Sequence, residues 1–169
     1  CEVARHDRRP RKSGPEHALV VCRCRAHGVS FTVYPPGYVP YGRVAVVADN
    51  EAGIKRMIAH SGLIPDLAII DACLTLGVPP AITAATGIDA LTHAVEAYIS
   101  PRATPLTNAL AYRAITLIGE SLPVAVGQGS DVNAREAMAL ASYMAGMAFS
   151  NAGLGLCHAM SHQLGAHYH

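Results

Sequence analysis

The second half of the chain most constrains the fold, because helical patterns follow one another from residue 80 onward with no strand pattern between them. The first predicted helix has apolar residues at steps of three and four, which places them on one face. These residues are Ile88, Leu91, Val95 and Ile99. We therefore predict a mainly α protein, a compact array of antiparallel helices with a short β-containing lead-in.

Residues with known preferences for helix ends mark the helix boundaries. Thr104 followed by Pro105 predicts a helix start, because a hydroxyl caps the first turn and proline fits the first helical position. Gly127 predicts a helix end, Asp131 the next start, and residues 151–155 a break before the last helix. The third helix has small or thioether side chains on the face predicted to be buried: Ala134, Ala137, Met138, Ala141, Met144, Ala145 and Ala148.

The first quarter of the chain differs in composition from the rest. Residues 1–43 carry eight basic and three acidic side chains, whereas residues 44–169 carry five and nine. Proline, arginine and cysteine are crowded together in the first segment without a helical or strand period. We expect an irregular basic leader, either disordered or non-native, as a shifted reading frame would produce. Nucleic-acid binding through this basic segment is an open alternative, but we expect no nucleic-acid partner.

A short segment with β character precedes the helices. The apolar runs 44–48 and 67–70 predict two strands. We predict a loop and one helical stretch for residues 49–60, and a connector for residues 71–80.

The overall composition predicts a folded protein. Apolar residues make up 51% of the chain and charged residues 15%, which does not fit a disordered chain.

No uninterrupted apolar run reaches about 18 residues, so we expect no membrane-spanning helix. The five cysteines form no CxxC pair and no signal-peptide pattern is present, so we predict reduced thiols and a cytoplasmic location.

The residues best suited to chemistry lie on two of the predicted helices. Asp89 and His93 are one helical turn apart, so their side chains can point at one spot. His158 and His162 repeat this spacing on an otherwise apolar helix, where histidine is rarely placed twice without a partner. Asp89, His93 and His158 together offer an oxygen and imidazole donor set that suits Fe²⁺ or Zn²⁺. On pattern alone, a solvated polar stripe that includes Glu96 explains the first helix as well.

Two longer motifs resemble the iron-containing alcohol dehydrogenases. They are TGIDALTHAVEAYIS at residues 86–100 and FSNAGLGLCHAMSHQLG at residues 149–165, in the family's order and at about its separation. Residues 65–71 and 76–85 are also similar to that family, and the resemblance covers residues 44–169. It implies a two-domain enzyme, with an α/β dinucleotide-binding domain followed by a helical metal-binding domain.

The resemblance also implies the domain boundaries and the reaction. Residues 44–78 would be a remnant of the dinucleotide-binding domain, and residues 79–169 a truncated metal-binding domain. The implied reaction moves a hydride between a small alcohol or aldehyde and NAD(P), with Fe²⁺ or Zn²⁺ as the metal, in an enzyme expected to be a homo-oligomer. The family's glycine-rich pyrophosphate loop is absent from the sequence, so we expect this fragment to be inactive alone.

Site residues follow from the resemblance position by position. Asp89, His93 and His158 match three of the family's four metal ligands. His162 matches a histidine near the nicotinamide and the substrate, which makes it the predicted catalytic residue. Lys55 matches a lysine that contacts the cofactor. The histidine that supplies the fourth ligand in the family would fall just beyond the last residue of this sequence.

Two alternatives remain open, one an enzyme of the same fold and the other a different class of function. A polyol dehydrogenase or a dehydroquinate-synthase-like enzyme has the same fold, although residues 151–165 favour the alcohol dehydrogenase branch. A non-enzymatic helical module would use the alanine-rich helix as a partner surface, and would tolerate loss of His158.

Overall fold

Helices dominate the part of the chain that the structure describes. The computed structural model describes residues 20–24, 29–33, 44–49, 54–59 and 70–167, with side chains given for residues 70–165. A short 3-10 helix, Ala72–Thr75, precedes the α-helices. These are α1 (Pro80–Ile99), α2 (Pro105–Gly127), α3 (Val132–Ala152) and α4 (Leu156–His167). The mainly α fold class predicted from the sequence is confirmed.

Two antiparallel hairpins lie before the helices. Strands β1 (Val20–Cys24) and β2 (Val29–Val33) form one, and β3 (Val44–Asp49) and β4 (Ile54–Ala59) form the other. The strand predicted at residues 44–48 is confirmed by β3. The helix predicted within residues 49–60 is wrong, because β4 occupies most of that range and pairs along its whole length with β3.

The leader also differs from its prediction where the structure describes it. We predicted no regular element in residues 1–43, but ten of these residues form β1 and β2. In β2 apolar and polar residues alternate over only five positions, which is too short a run to stand out in a proline- and arginine-rich segment. The strand predicted at 67–70 falls almost wholly outside the described residues, and Ile70 is not in a strand.

The helix ends fall where the capping residues predict them. The Thr104 hydroxyl accepts a hydrogen bond from the Thr107 backbone N–H. The Thr107 hydroxyl accepts one from the Thr104 backbone N–H, which completes a capping box. Asp131 caps α3 through the Ala134 N–H at 2.9 Å. Gly153 follows α3 with φ +85°, a conformation that favours glycine.

The core lies between α1, α2 and α3, which contact one another along their lengths. Its buried side chains are mostly small, so the helix axes can approach closely. They include Ala90, Ala94, Ala97, Ala111, Ala114, Leu117, Ile118, Leu122, Met138, Ala141, Ala145 and Ala148. The small-residue face predicted for α3 is therefore confirmed in most of its members.

The apolar face predicted for α1 is wrong for three of its four residues, whereas Leu91 is partly buried and packs against the core. Ile99 is 72% exposed, and Ile88 and Val95 are also exposed in the described structure. Instead α1 turns its small residues Ala90 and Ala94 into the core, together with two polar residues of the site described below. Both sets of positions fit the helical period, so the period alone could not choose between them.

Helix α2 is long and apolar enough to cross a membrane, judged by length and composition alone. Core helices of proteins that never enter a membrane pass the same test. In this structure α2 packs against both α1 and α3 and buries Ala111, Ala114 and Ile118. Its other side carries the exposed charged residues Arg113 and Glu120. The expectation of no membrane-spanning helix stays a prediction.

Candidate metal centre

The three candidate ligands come together from two helices. Asp89 and His93 lie one turn apart on α1, and His158 lies in the first turn of α4. One potential ligand atom from each residue lies within 4.8 Å of the other two. Nε2 of His158 is 3.4 Å from Asp89 Oδ1, and Nε2 of His93 is 3.9 Å from Asp89 Oδ2. The sequence predicted this set, and the fold gathers it around one point.

The donor set fits a divalent cation. His93 and His158 are 8% and 6% exposed, whereas the Asp89 side chain is 48% exposed, which leaves one open side. The two imidazole rings stack with centroids 4.4 Å apart, and Nε2 of each ring lies within 4 Å of the Asp89 carboxylate. Nε2 of His158 is buried and makes no hydrogen bond of acceptable geometry to any described residue. A metal ion would satisfy this nitrogen, and two imidazoles with one carboxylate suit Fe²⁺ or Zn²⁺.

The protonation of the three groups follows from their surroundings. Burial lowers the pKa of His93 from 6.5 to about 4, so this ring is neutral near pH 7. The nearby Asp89 carboxylate, helped by Glu96, raises the pKa of His158 despite burial. Burial opposes ionisation of Asp89, but its contacts with His158 and the other histidines outweigh burial and lower the pKa of Asp89. Among the three candidate ligands, Asp89 thus carries the negative charge and His93 is neutral.

Glu96 also belongs to this site, although on pattern alone it is one member of a polar stripe on α1. Its side chain is buried beside His158, and Oε2 accepts a hydrogen bond from His158 Nδ1 at 2.5 Å. Oε2 also accepts from the Gly155 N–H at 3.0 Å, and Oε1 from the Cys157 N–H at 2.7 Å. Burial opposes its ionisation, but these three hydrogen bonds lower the pKa of Glu96. Its position three residues after His93, on the same helical face, was the signal available in the sequence.

His162 lies one turn beyond His158 on α4. The two ring centroids are 5.9 Å apart, and His162 is half-buried. The structure therefore places the predicted catalytic histidine beside the candidate ligands, on the same helix. Phe149 on α3 packs against His93, with ring centroids 4.7 Å apart.

Lys55 belongs to β4, whose side chains the structure does not describe. The backbone of β4 contacts α4, the helix of His158 and His162. The strand that contains the predicted cofactor-binding lysine therefore lies next to the helix of the candidate site.

Comparison with known proteins gives one consistent family. Residues 83–169 match the model of the Fe-containing alcohol dehydrogenase family, C-terminal region. The chain is 63% identical over 126 residues to the probable alcohol dehydrogenase EutG of Salmonella typhimurium, a match that covers 75% of this chain and 32% of EutG. The chain thus spans about a third of the length of this curated relative.

Solved structures agree with this match. A 1,3-propanediol oxidoreductase superposes with a TM-score of 0.72 at 53% identity, over 75% of this chain and 33% of that one. The sulfoacetaldehyde reductase from Bifidobacterium kashiwanohense, solved with NAD⁺, gives 0.70 at 38% identity, over 73% and 33%. The helices described above correspond to the all-α C-terminal domain of these structures. The chain belongs to the Fe-containing alcohol dehydrogenase family of oxidoreductases.

Proposed function

We propose that this chain supplies the metal-binding helices of an alcohol dehydrogenase that moves a hydride between a small alcohol or aldehyde and NAD(P). The observation that carries the proposal is the convergence of Asp89, His93 and His158, whose ligand atoms lie within 4.8 Å of one another. The relatives support the reaction class, since they are named as an alcohol dehydrogenase, a propanediol oxidoreductase and an aldehyde reductase.

Asp89, His93 and His158 would hold Fe²⁺ or Zn²⁺. When bound, the metal supplies Lewis acidity toward the alcohol or carbonyl oxygen of the substrate. The residues prepare the site for this role in different ways. His93 is neutral near pH 7, Asp89 provides the negative charge, and the Phe149 ring packs against His93.

We assign His162 to proton handling and Lys55 to the cofactor. His162 lies one turn from His158 and is half-buried, a suitable place for a group that exchanges a proton with the substrate oxygen. Lys55 is in the strand next to α4, where a positive charge would attract a cofactor phosphate. The nicotinamide carries the redox chemistry, and one solved relative was crystallised with NAD⁺.

The remaining parts of the proposal concern the whole protein. We assign residues 44–78 to a remnant of the dinucleotide-binding domain and residues 79–169 to the metal-binding domain. We propose a cytoplasmic homo-oligomer with no membrane or nucleic-acid partner. We expect the 169-residue chain to have little activity alone, because it spans about a third of the relatives it matches.

A chimeric enzyme tests the proposal. Residues 44–165 of this chain would replace the matching third of the 1,3-propanediol oxidoreductase, which is 53% identical in sequence. We expect NADH-dependent reduction of a short aldehyde, lost in the His158→Ala chimera. The Asp131→Asn chimera is the control, since this helix cap lies outside the site. Equal activity with and without His158 would refute the metal role and favour a structural module.

A further inference from the structure

Glu96 has no role in the function proposed above, yet it makes the closest polar contacts of the site. Its carboxylate on α1 reaches across 62 residues of sequence to the His158 ring on α4. Its oxygens also accept the backbone N–H groups of Gly155 and Cys157. Every polar partner of this buried carboxylate in the described structure therefore belongs to the start of α4.

These contacts determine how the His158 ring is presented. Because Oε2 of Glu96 accepts the Nδ1 hydrogen, the neutral ring keeps its proton on Nδ1. Nε2 is then the free lone pair, and it is the nitrogen that faces Asp89 at 3.4 Å. Among the described residues, Nδ1 of His93 has no hydrogen-bond partner. Of the two rings, only His158 therefore has a carboxylate at its Nδ1.

The same carboxylate fixes the backbone that carries His158. The first N–H groups of a helix have no partner within the helix, and a negative charge there is favourable. Glu96 accepts two such N–H groups, from Gly155 and Cys157. A Cβ at Gly155 would lie 2.9 Å from Glu96 Oε1, so glycine leaves room for this approach. Ring and backbone of His158 are thus held by one side chain.

We propose that Glu96 is the positioning residue of His158: it selects the tautomer with Nε2 free, and it seats the first turn of α4 so that Nε2 points at Asp89. The part of this inference that concerns metal affinity rests on the proposed function. The part that concerns the ring and its tautomer rests only on the contacts of Glu96.

Three substitutions separate positioning from simple stability. Glu96→Ala removes every contact. Glu96→Gln keeps an oxygen for the Nδ1 hydrogen of His158 but turns its NH₂ group toward the Cys157 N–H, so it should rescue part of the effect. Asp131→Asn is the matched control, because Asp131 also caps a helix N-terminus with a carboxylate but on α3, away from the site.

Two readouts on the full 169-residue chain test the inference. Imidazole ¹⁵N NMR of the metal-free chain, at a pH where His158 is neutral, reports its tautomer. Competition with a chromophoric chelator gives the Kd for Zn²⁺. We expect the Nδ1–H tautomer in wild type and in Asp131→Asn, and mixed tautomers in Glu96→Ala. We expect Zn²⁺ affinity to fall about 10- to 100-fold in Glu96→Ala and less in Glu96→Gln.

The outcomes distinguish the two proposals. An unchanged His158 tautomer in Glu96→Ala, or an equal loss of Zn²⁺ affinity in Asp131→Asn, would overturn the positioning role. A wild-type chain that binds no Zn²⁺ would overturn the proposed metal function, and the tautomer comparison would then decide the role of Glu96 by itself. Should Glu96→Ala fail to fold by circular dichroism, Glu96→Gln carries the comparison, with a partial tautomer change expected and none contradicting the inference.

Discussion

The imidazole rings of His93 and His158 stack at 4.4 Å with only 14° between their planes, although one is on α1 and the other on α4. The surroundings of the two rings shift their pKa values in opposite directions. Burial lowers the pKa of His93, whereas the adjacent Asp89 carboxylate raises that of His158. The two neighbouring rings therefore make the stability of the chain depend on pH in opposite ways.

The stability of the metal-free chain should depend on pH through His93. Its pKa is about 4 when folded and 6.5 when unfolded, so the unfolded chain binds more protons between these values. The free energy of unfolding contributed by His93 is therefore full above pH 6.5, and about 3 kcal/mol is lost as the pH falls to 4. His158 acts in the opposite sense: its contribution is full below pH 6.5 and is lost as the pH rises through its raised folded pKa.

Urea denaturation of wild type and His93→Phe at several pH values checks this prediction. His158 is present in both proteins, so the difference between their free energies of unfolding reports mainly on His93. The wild type should lose stability relative to His93→Phe as the pH falls through this range. A difference that does not change between pH 7 and pH 4 would contradict the buried, neutral state of His93.

Gly87 should be needed for the contact between α1 and α2. A Cβ at this position would overlap the side chain of Leu122, which is itself in the core. Gly87→Ala should therefore lower the free energy of unfolding by about 1–3 kcal/mol, because Leu122 must leave its place in a packed core. Gly119→Ala is the matched control, since no described atom lies within 4 Å of its added Cβ and the helix gains from losing a glycine. Thermal melts that show equal effects at both glycines would contradict the close approach.

Arg135 should hold the start of α1 to α3. It is 2% exposed and donates hydrogen bonds to the Gly129 carbonyl, the Thr83 hydroxyl and the Val78 carbonyl. Arg135→Met keeps much of the volume but leaves these acceptors without their donor, so we expect a loss of about 2–4 kcal/mol. The exposed Arg113 on α2 is the control, and Arg113→Met should change stability by less than about 0.5 kcal/mol. Denaturant titrations that give similar losses for both would refute the role of Arg135.

The sequence predicted the helices better than their orientation. Caps at Thr104 and Asp131 act through residues next to them in the chain, so local patterns were sufficient. Which side of α1 is buried depends on the helices that pack against it. Because α1 has apolar residues on two sides, its sequence alone does not show which side faces the core. Strand β4 likewise forms through its pairing with β3, and a segment this short does not show by itself that such a partner exists.

In the candidate site, too, local sequence patterns predict some residues, whereas contacts between distant parts of the chain are needed for another. Asp89, His93 and His158 were identified from spacing and motif, because ligands on one helical face have a recognisable period. The sequence alone places Glu96 in a polar stripe, because its partners lie 59 to 62 residues away and two of them are backbone N–H groups. Contacts with backbone atoms leave no residue pattern, and only the fold shows them.

We propose that Asp89, His93 and His158 hold a divalent metal. The most direct test of this proposal is metal content by mass spectrometry after anaerobic purification of the wild-type chain, His93→Ala and the cap control Asp131→Asn. We expect close to one iron or zinc ion per chain in wild type and in Asp131→Asn, and loss of that metal in His93→Ala. Absence of metal from the wild type, or equal metal content with and without His93, would contradict it.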